Sequence, residues 1–253
     1  MRTPSRLCAI VACVLAPAAV AQVHSGDITL SLNAGTITTN ATSGPDRVFT
    51  ATLGESFENF TSDPGFDCLS GTFPTPSRVG FTIGGALKRW TGSSFASPID
   101  ERMEIAFGGA AGFSVLTPTS DSSTPGFSLS VGSNGQWHRH LEYTLLSPAS
   151  DGIYLLPLSL FSTNPSIAAS ETFYILFNQN ATTTDLEAAV QWVRDNILSP
   201  FCPADWDQSG GVDGDDVIAF FAQWDQSNAD FNTDGGTDGD DVIAFFAAWD
   251  SGC

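Results

Sequence analysis

The sequence predicts a mainly β protein: an antiparallel β-sandwich or jelly-roll body over 22–200 with one helix at its C-terminal end, followed by a small α unit over 201–253. Short apolar-polar alternations separated by turn residues recur through the body, one stretch of helical periodicity closes it, and the segment after it is an internal duplication. The 253 residues carry 28 acidic and 9 basic side chains, a formal charge of −19, with 42% apolar residues. Such a chain can bury a core of its own. A deficit of Lys and Arg excludes a protein that works by neutralising phosphates, so nucleic acid is not an expected partner. Glycines without a three-residue period, with 19 Phe and 6 Trp, exclude collagen-like and wholly disordered chains.

Residues 1–21 place Arg2 and Arg6 before an apolar run that ends with Ala19 and Ala21 at A-x-A spacing. This reads as a secretory signal peptide removed after Ala21, which implies a secreted or cell-surface protein. The run is too short to cross about 30 Å of hydrocarbon, and Pro17 interrupts it; no later stretch reaches the roughly 18 apolar residues of a membrane span. Cys8 and Cys13 depart with the signal, leaving Cys68, Cys202 and Cys253. In an oxidising compartment Cys202 and Cys253, which flank the acidic tail, are the natural candidates for a disulfide. Cys68 is then buried, free, or available for an intermolecular bond. In the chain-entropy model a loop of that length is worth about 4 kcal/mol at most.

Within the body, strands are expected at 27–34, 47–52, 78–90, 102–108, 112–117, 126–132, 136–146, 152–161 and 172–178, each bounded by Gly, Pro, Asn or Ser. The one clear helix has Thr184 as its cap and Glu187 three residues on. Leu186, Val190, Val193 and Ile197 form its apolar stripe, and Pro200 follows its end. Ser199, Pro200 and Pro203 mark the join to the tail.

The densest chemistry in the body is the run from Trp137 to Glu142. On a strand, His138, His140 and Glu142 share one face while Trp137, Leu141 and Tyr143 take the other. Two imidazoles and a carboxylate are donors for a transition metal. The plainer reading is a polar outer face, since His24 is the one other histidine. No GxSxG elbow, HExxH pair or phosphate-cradling glycine loop occurs. A carboxylate pair for glycoside hydrolysis can be drawn from Asp100, Glu101, Glu104, Glu142 and Glu171, but sequence does not fix its separation. Trp90, Trp137 or Trp192, if exposed, could stack on sugar rings, although core packing is the commoner fate. The body is therefore read as non-catalytic; the alternatives are a polysaccharide-active enzyme of the glycoside hydrolase class and a carbohydrate-binding module.

Residues 205–228 and 230–253 align at a shift of 25 with 15 of 24 identities, and residues 202–253 hold 12 Asp with no Lys or Arg. Each copy offers oxygens at places 1, 3, 5, 9 and 12, with glycine sixth, the spacing of a calcium loop of the EF-hand kind. The first set is Asp205, Asp207, Ser209, the carbonyl of Gly211, Asp213 and Asp216, with Gly210 at the turn. The second is Asp230, Asn232, Asp234, the carbonyl of Gly236, Asp238 and Asp241, with Gly235 at the turn. Two calcium ions are expected, the first held more weakly because Ser209 occupies the fifth place. Magnesium suits such loops less, since it demands a smaller octahedron and keeps its waters. After each loop an i, i+3, i+4, i+7 stripe predicts an amphipathic helix: Val217, Phe220, Phe221 and Trp224, then Val242, Phe245, Phe246 and Trp249. Their aromatics are expected to pack one helix on the other.

No helical pattern precedes either loop, so each copy is a loop and one helix. In this the tail resembles a dockerin, and its opening CPADWD and closing SGC are similar to the GC-type dockerins of exported bacterial proteins. The resemblance implies calcium-dependent docking onto a cohesin-like or other surface protein, and module ends close enough for a bridge between Cys202 and Cys253. It departs from cellulosomal dockerins at the tenth and eleventh places. These are Gly214 with Asp215 and Gly239 with Asp240, where that family often has Ser and Thr, and no basic residue follows. An acidic face of this kind asks for a basic partner. The body, through GFTIGGALKRW, VLTPTSD, HRHLEYTL and FYILFNQN, is similar to N-terminal domains of exported bacterial proteins whose anchoring segments vary. That likeness implies fold and location and no activity.

Overall fold

The computed structural model describes residues 26–41, 44–198, 202–207 and 212–251. The expected signal peptide with its cleavage point at Ala21, the loop residues Ser209, Gly210 and Gly211, Ser199, Pro200 and Cys253 all lie outside the described residues.

The chain is mainly β, with three sheets among the described residues. The largest orders Thr124–Ser130, Arg78–Ile83, Gly152–Ser162, Phe173–Gln179 and Val48–Thr52, with Lys88–Trp90 also paired to Gly152–Ser162 and Phe95–Ala96 beyond it. A second orders Gly44–Pro45, Thr36–Ala41, Ile28–Asn33 and Phe66–Cys68. The third orders Phe113–Leu116, Met103–Phe107, Glu142–Leu145 and Phe60–Thr61. The pairing is mixed rather than wholly antiparallel. Ile28–Asn33 runs parallel to Phe66–Cys68, and Phe173–Gln179 runs parallel to Val48–Thr52. Parallel neighbours need long connections, and in both pairs the partners are far apart in sequence.

Side-chain alternation decides which layer each residue joins. Along Gly152–Ser162, Tyr154, Leu156, Leu158 and Leu160 enter the main core, while Ile153 and Leu155 enter a smaller one on the opposite face. Phe173, Ile175 and Phe177 divide from Leu176 in the same way. Leu30, Phe81 and Ile105 show that all three sheets feed the main core. The smaller core lies under α1 (Thr183–Val193), whose Ala189 and Val193 are fully buried. With both faces covered, these two strands read as nearly continuous apolar runs.

Three expected elements differ in detail. The helix cap is Thr182 rather than Thr184: the Thr182 hydroxyl accepts from the amide of Asp185 at 3.1 Å and donates to its carboxylate at 2.7 Å, so the cap falls two residues earlier. The stretch 78–90 is two strands, broken at Gly84 and Gly85. Of 136–146 only Glu142–Leu145 is a strand; the preceding residues are tied to the second sheet by the reciprocal amide bonds of Phe66 and Arg139, at 2.8 and 2.9 Å.

The tail contributes α2 (Gly214–Trp224) and α3 (Gly239–Ser251). Its core is built of repeat mates. Phe220 and Phe245 stack at 4.2 Å with planes 10° apart, and Ala204 and Ala229 join them as fully buried residues. Burying an aromatic of this size is worth about 1.5–3 kcal/mol. The pairing is reciprocal elsewhere too: the Trp224 indole donates to the Asp238 carbonyl and the Trp249 indole to the Asp213 carbonyl, both at 3.3 Å.

Candidate metal centres

Each tail loop is organised by the carboxylate at its twelfth place. Asp216 and Asp241 are fully buried. In the first loop the amide of Asp207 donates to Asp216 Oδ1 at 3.1 Å, and that of Asp213 to Oδ2 at 2.8 Å. In the second the amide of Asn232 donates to Asp241 Oδ1 at 3.0 Å, and that of Asp238 to Oδ2 at 2.8 Å. The third and ninth amides thus grip the twelfth side chain in both copies. Burial pushes the Asp216 carboxyl up, but the amides of Asp213 and Asp207 outweigh it and hold the group below the usual carboxylate range. The amides of Asn232 and Asp238 hold Asp241 below that range as well. Both groups are therefore anionic, and each oxygen keeps a lone pair beyond the one an amide uses.

Asp205, Asp207 and Asp216 each bring a carboxylate oxygen within 4.8 Å of the others. The corresponding donors of the second loop are Asp230, Asn232 and Asp241. There the sharp turn falls on Gly235, whose φ of 95° is open to glycine and strained for other residues, as the sixth place requires. Asp230 accepts from the amides of Asp234 and Gly235 at 3.0 and 2.9 Å, and Asp234 from Gly236 at 3.0 Å, so the loop curls round its own carboxylates. An all-oxygen set rich in carboxylate fits a hard divalent cation and suits softer ions poorly. Cys202 is disulfide-bonded, and its expected partner Cys253 lies outside the described residues.

The carboxylates named for glycoside hydrolysis fall in different settings. Glu101 is 5% exposed and accepts from the Tyr154 hydroxyl at 3.2 Å. Burial pushes its carboxyl up, but hydrogen bonds from Ser150 and Tyr154 outweigh this and hold it below its ordinary value, the wrong direction for a general acid. Glu171 is exposed and paired with Arg47 at 2.9 Å. It lines a groove of about 480 Å³ with Asp46, which is itself paired with Arg194 at 3.0 Å. Asp100 is exposed, and Glu104 and Glu142 are half-buried on neighbouring strands, Glu104 opposite Thr144 and Glu142 opposite Ala106.

The tryptophans pack rather than form a platform. Trp137 is buried, and Trp90, Phe95 and Trp192 lie 5.1–6.2 Å apart with ring planes at 54–63° to one another. Cys68 is a buried free thiol whose ionisation burial disfavours. Its sulfur accepts from the Trp137 amide at 3.1 Å. His138 and His140 do project from the same face, opposite Trp137 and Leu141, but the carboxylate that closes on them is Asp27 rather than Glu142. Sequence spacing carried no sign of Asp27, which arrives from the first strand of the second sheet.

Comparison with protein families and with curated proteins returns no match. No helix among the described residues is long and apolar enough to cross a membrane.

Proposed function

We propose that residues 202–253 are a calcium-dependent docking module of the dockerin type, carried by an exported protein with a non-catalytic β-sandwich body. The observation that carries this reading is the duplicated twelve-place loop whose last carboxylate is buried and gripped by the third and ninth amides in both copies. Twelve carboxylates in so short a tail repel one another, and two divalent ions offset much of that charge. The docking part of the reading is supported by the outer faces of α2 and α3. Ile218 and Ile243, repeat mates, are 68% and 69% exposed, and the exposed Asp215 and Asp240 lie one turn before them. A partner that covers such a face presents apolar contacts ringed by Lys or Arg, as a cohesin-like or other surface protein could.

Calorimetric titration of CaCl₂ into chelator-stripped full-length exported chain tests the metal. The expected result is two ions bound, and no heat sinks the reading. Recovery of a surface partner from an envelope extract tests docking; it is expected with calcium and absent with EDTA, and recovery indifferent to chelation removes the tail as the docking element.

A further inference from the structure

The body holds a second constellation that the tail does not explain. Asp27 immediately precedes the strand Ile28–Asn33 of the second sheet, where the Ile28 amide donates to the Gly65 carbonyl at 2.9 Å. His138 and His140 flank Arg139, whose backbone exchanges two hydrogen bonds with Phe66. Three backbone segments therefore fix the three side chains, over a floor of Ile28, Phe66, Trp137 and Leu141 that is buried throughout. The Asp27 side chain is 3% exposed, and its Oδ2 is buried without a hydrogen bond. That oxygen stands 3.6 Å from Nε2 of His138 and 3.6 Å from Nε2 of His140, and the two nitrogens are 3.2 Å apart.

Two further features prepare the three atoms to act as donors to one ion. His140 Nδ1 faces the Ser62 carbonyl at 3.1 Å and Asp63 Oδ1 at 3.4 Å, both acceptors, a setting that suits a proton on Nδ1 and leaves Nε2 to serve as the donor to an ion. A carbonyl partner behind a ring nitrogen is the usual outer support of a metal-bound histidine. Gly65 makes room: a Cβ there would lie 2.6 Å from His140 Cε1 and 2.7 Å from Asp27 Oδ1. Any larger residue would force the imidazole and the carboxylate apart.

We infer that Asp27, His138 and His140, the donors that meet here among the described residues, bind a divalent transition-metal ion, zinc by geometry. Zinc bonds of about 2.0–2.1 Å in a tetrahedron set neighbouring donors about 3.3–3.4 Å apart. The three separations here, 3.2, 3.6 and 3.6 Å, bracket that edge, so the site closes on the ion with shifts of a few tenths of an ångström. An octahedron with bonds of about 2.1 Å needs donors about 3.0 Å apart, a poorer match. Two imidazoles also select against calcium, which takes oxygen. The histidine side chains are 33% and 35% exposed, so an ion can reach the three donors from solvent.

The inference stands independently of the calcium reading, and its test keeps the two apart. Full-length exported chain is stripped with chelator, saturated with CaCl₂, and titrated with ZnCl₂; the same protein takes up Co²⁺ for visible spectroscopy. One zinc at micromolar or tighter affinity is expected, with the intense visible cobalt absorption of tetrahedral coordination. The double variant His138→Ala/His140→Ala should lose that affinity at least 100-fold and lose the cobalt band. Asp27→Asn, which keeps the shape and removes the charge, should weaken binding at least tenfold while the thermal midpoint of the metal-free protein stays within a few degrees. Zinc uptake unchanged in both variants, no uptake by the calcium-loaded chain, or a weak octahedral cobalt spectrum overturns the inference.

Discussion

The body and the tail are held together by different means. The body buries aromatic and aliphatic side chains from three sheets on both faces of its central strands, and its buried Glu101 accepts a hydrogen bond from Tyr154. The tail has four fully buried apolar residues, Ala204, Phe220, Ala229 and Phe245, and sets two fully buried carboxylates beside them. An apolar core condenses in any aqueous buffer. In the tail the two carboxylates are met by backbone amides, and on the proposed calcium reading a cation adds to those bonds and offsets the charge around them. One chain thus contains a unit whose folding depends on sequence alone and a unit whose folding, on the calcium reading, depends on the medium.

The largest test of that contrast is calcium removal. EDTA is expected to abolish the far-UV helical signal of α2 and α3 and to leave the β signal and thermal midpoint of the body in place; a tail helicity indifferent to chelation would dissolve the distinction. Next in size are matched aromatic truncations. Phe66→Ala and Phe220→Ala should each cost about 3–5 kcal/mol. The first should lower the body's midpoint equally with and without calcium, while the second should weaken calcium binding as well, measured by denaturation and calorimetry on the same samples. A calcium affinity untouched by Phe220→Ala would uncouple the tail's aromatic core from its loops.

Smaller again is Asp216→Asn. The amide nitrogen it introduces faces the Asp213 amide, leaving a donor unsatisfied at about 1–3 kcal/mol. On the calcium reading it should reduce the ions bound from two to one and weaken the remaining ion's affinity in the second loop. Acid gives the finest comparison. Asp216 and Asp241 are held below their ordinary values in the folded chain, so the stability they contribute is full above the unfolded-chain value of about 3.9 and is lost as pH falls through their lowered folded values. The tail should melt on acidification toward pH 3 and below while the body, monitored by near-UV circular dichroism, changes less.

The same contrast explains what the sequence disclosed. The tail's candidate donors are local: each lies within twelve places of the first, so spacing alone was enough to group Asp205, Asp207 and Asp216, which the fold brings together. Most long strands of the body were legible from alternation or, as at 152–161 and 172–178, from apolar runs bounded by turn residues. The strand Thr36–Ala41 was not, because TITTNA presents mostly polar residues and owes its conformation to pairing with Ile28–Asn33. Phe66–Cys68 was missed because three residues carry no period, and its partners come from both ends of the body. The histidine pair was visible and its carboxylate was not. Glu142 was the neighbour in sequence, but the backbone before it follows Phe66 rather than a regular strand, and the second sheet brings Asp27 to the imidazoles instead.

The crossed indole bonds of the tail carry a thermodynamic consequence. Trp224, at the end of the first helix, is fastened to the ninth residue of the second loop, and Trp249 returns the favour to the first. Neither loop can be ordered without straightening the helix that steadies its twin. Filling one therefore prepays part of the entropy for filling the other. On the calcium reading, two ions entering such a unit would act in concert, and uptake would steepen into a narrow concentration window.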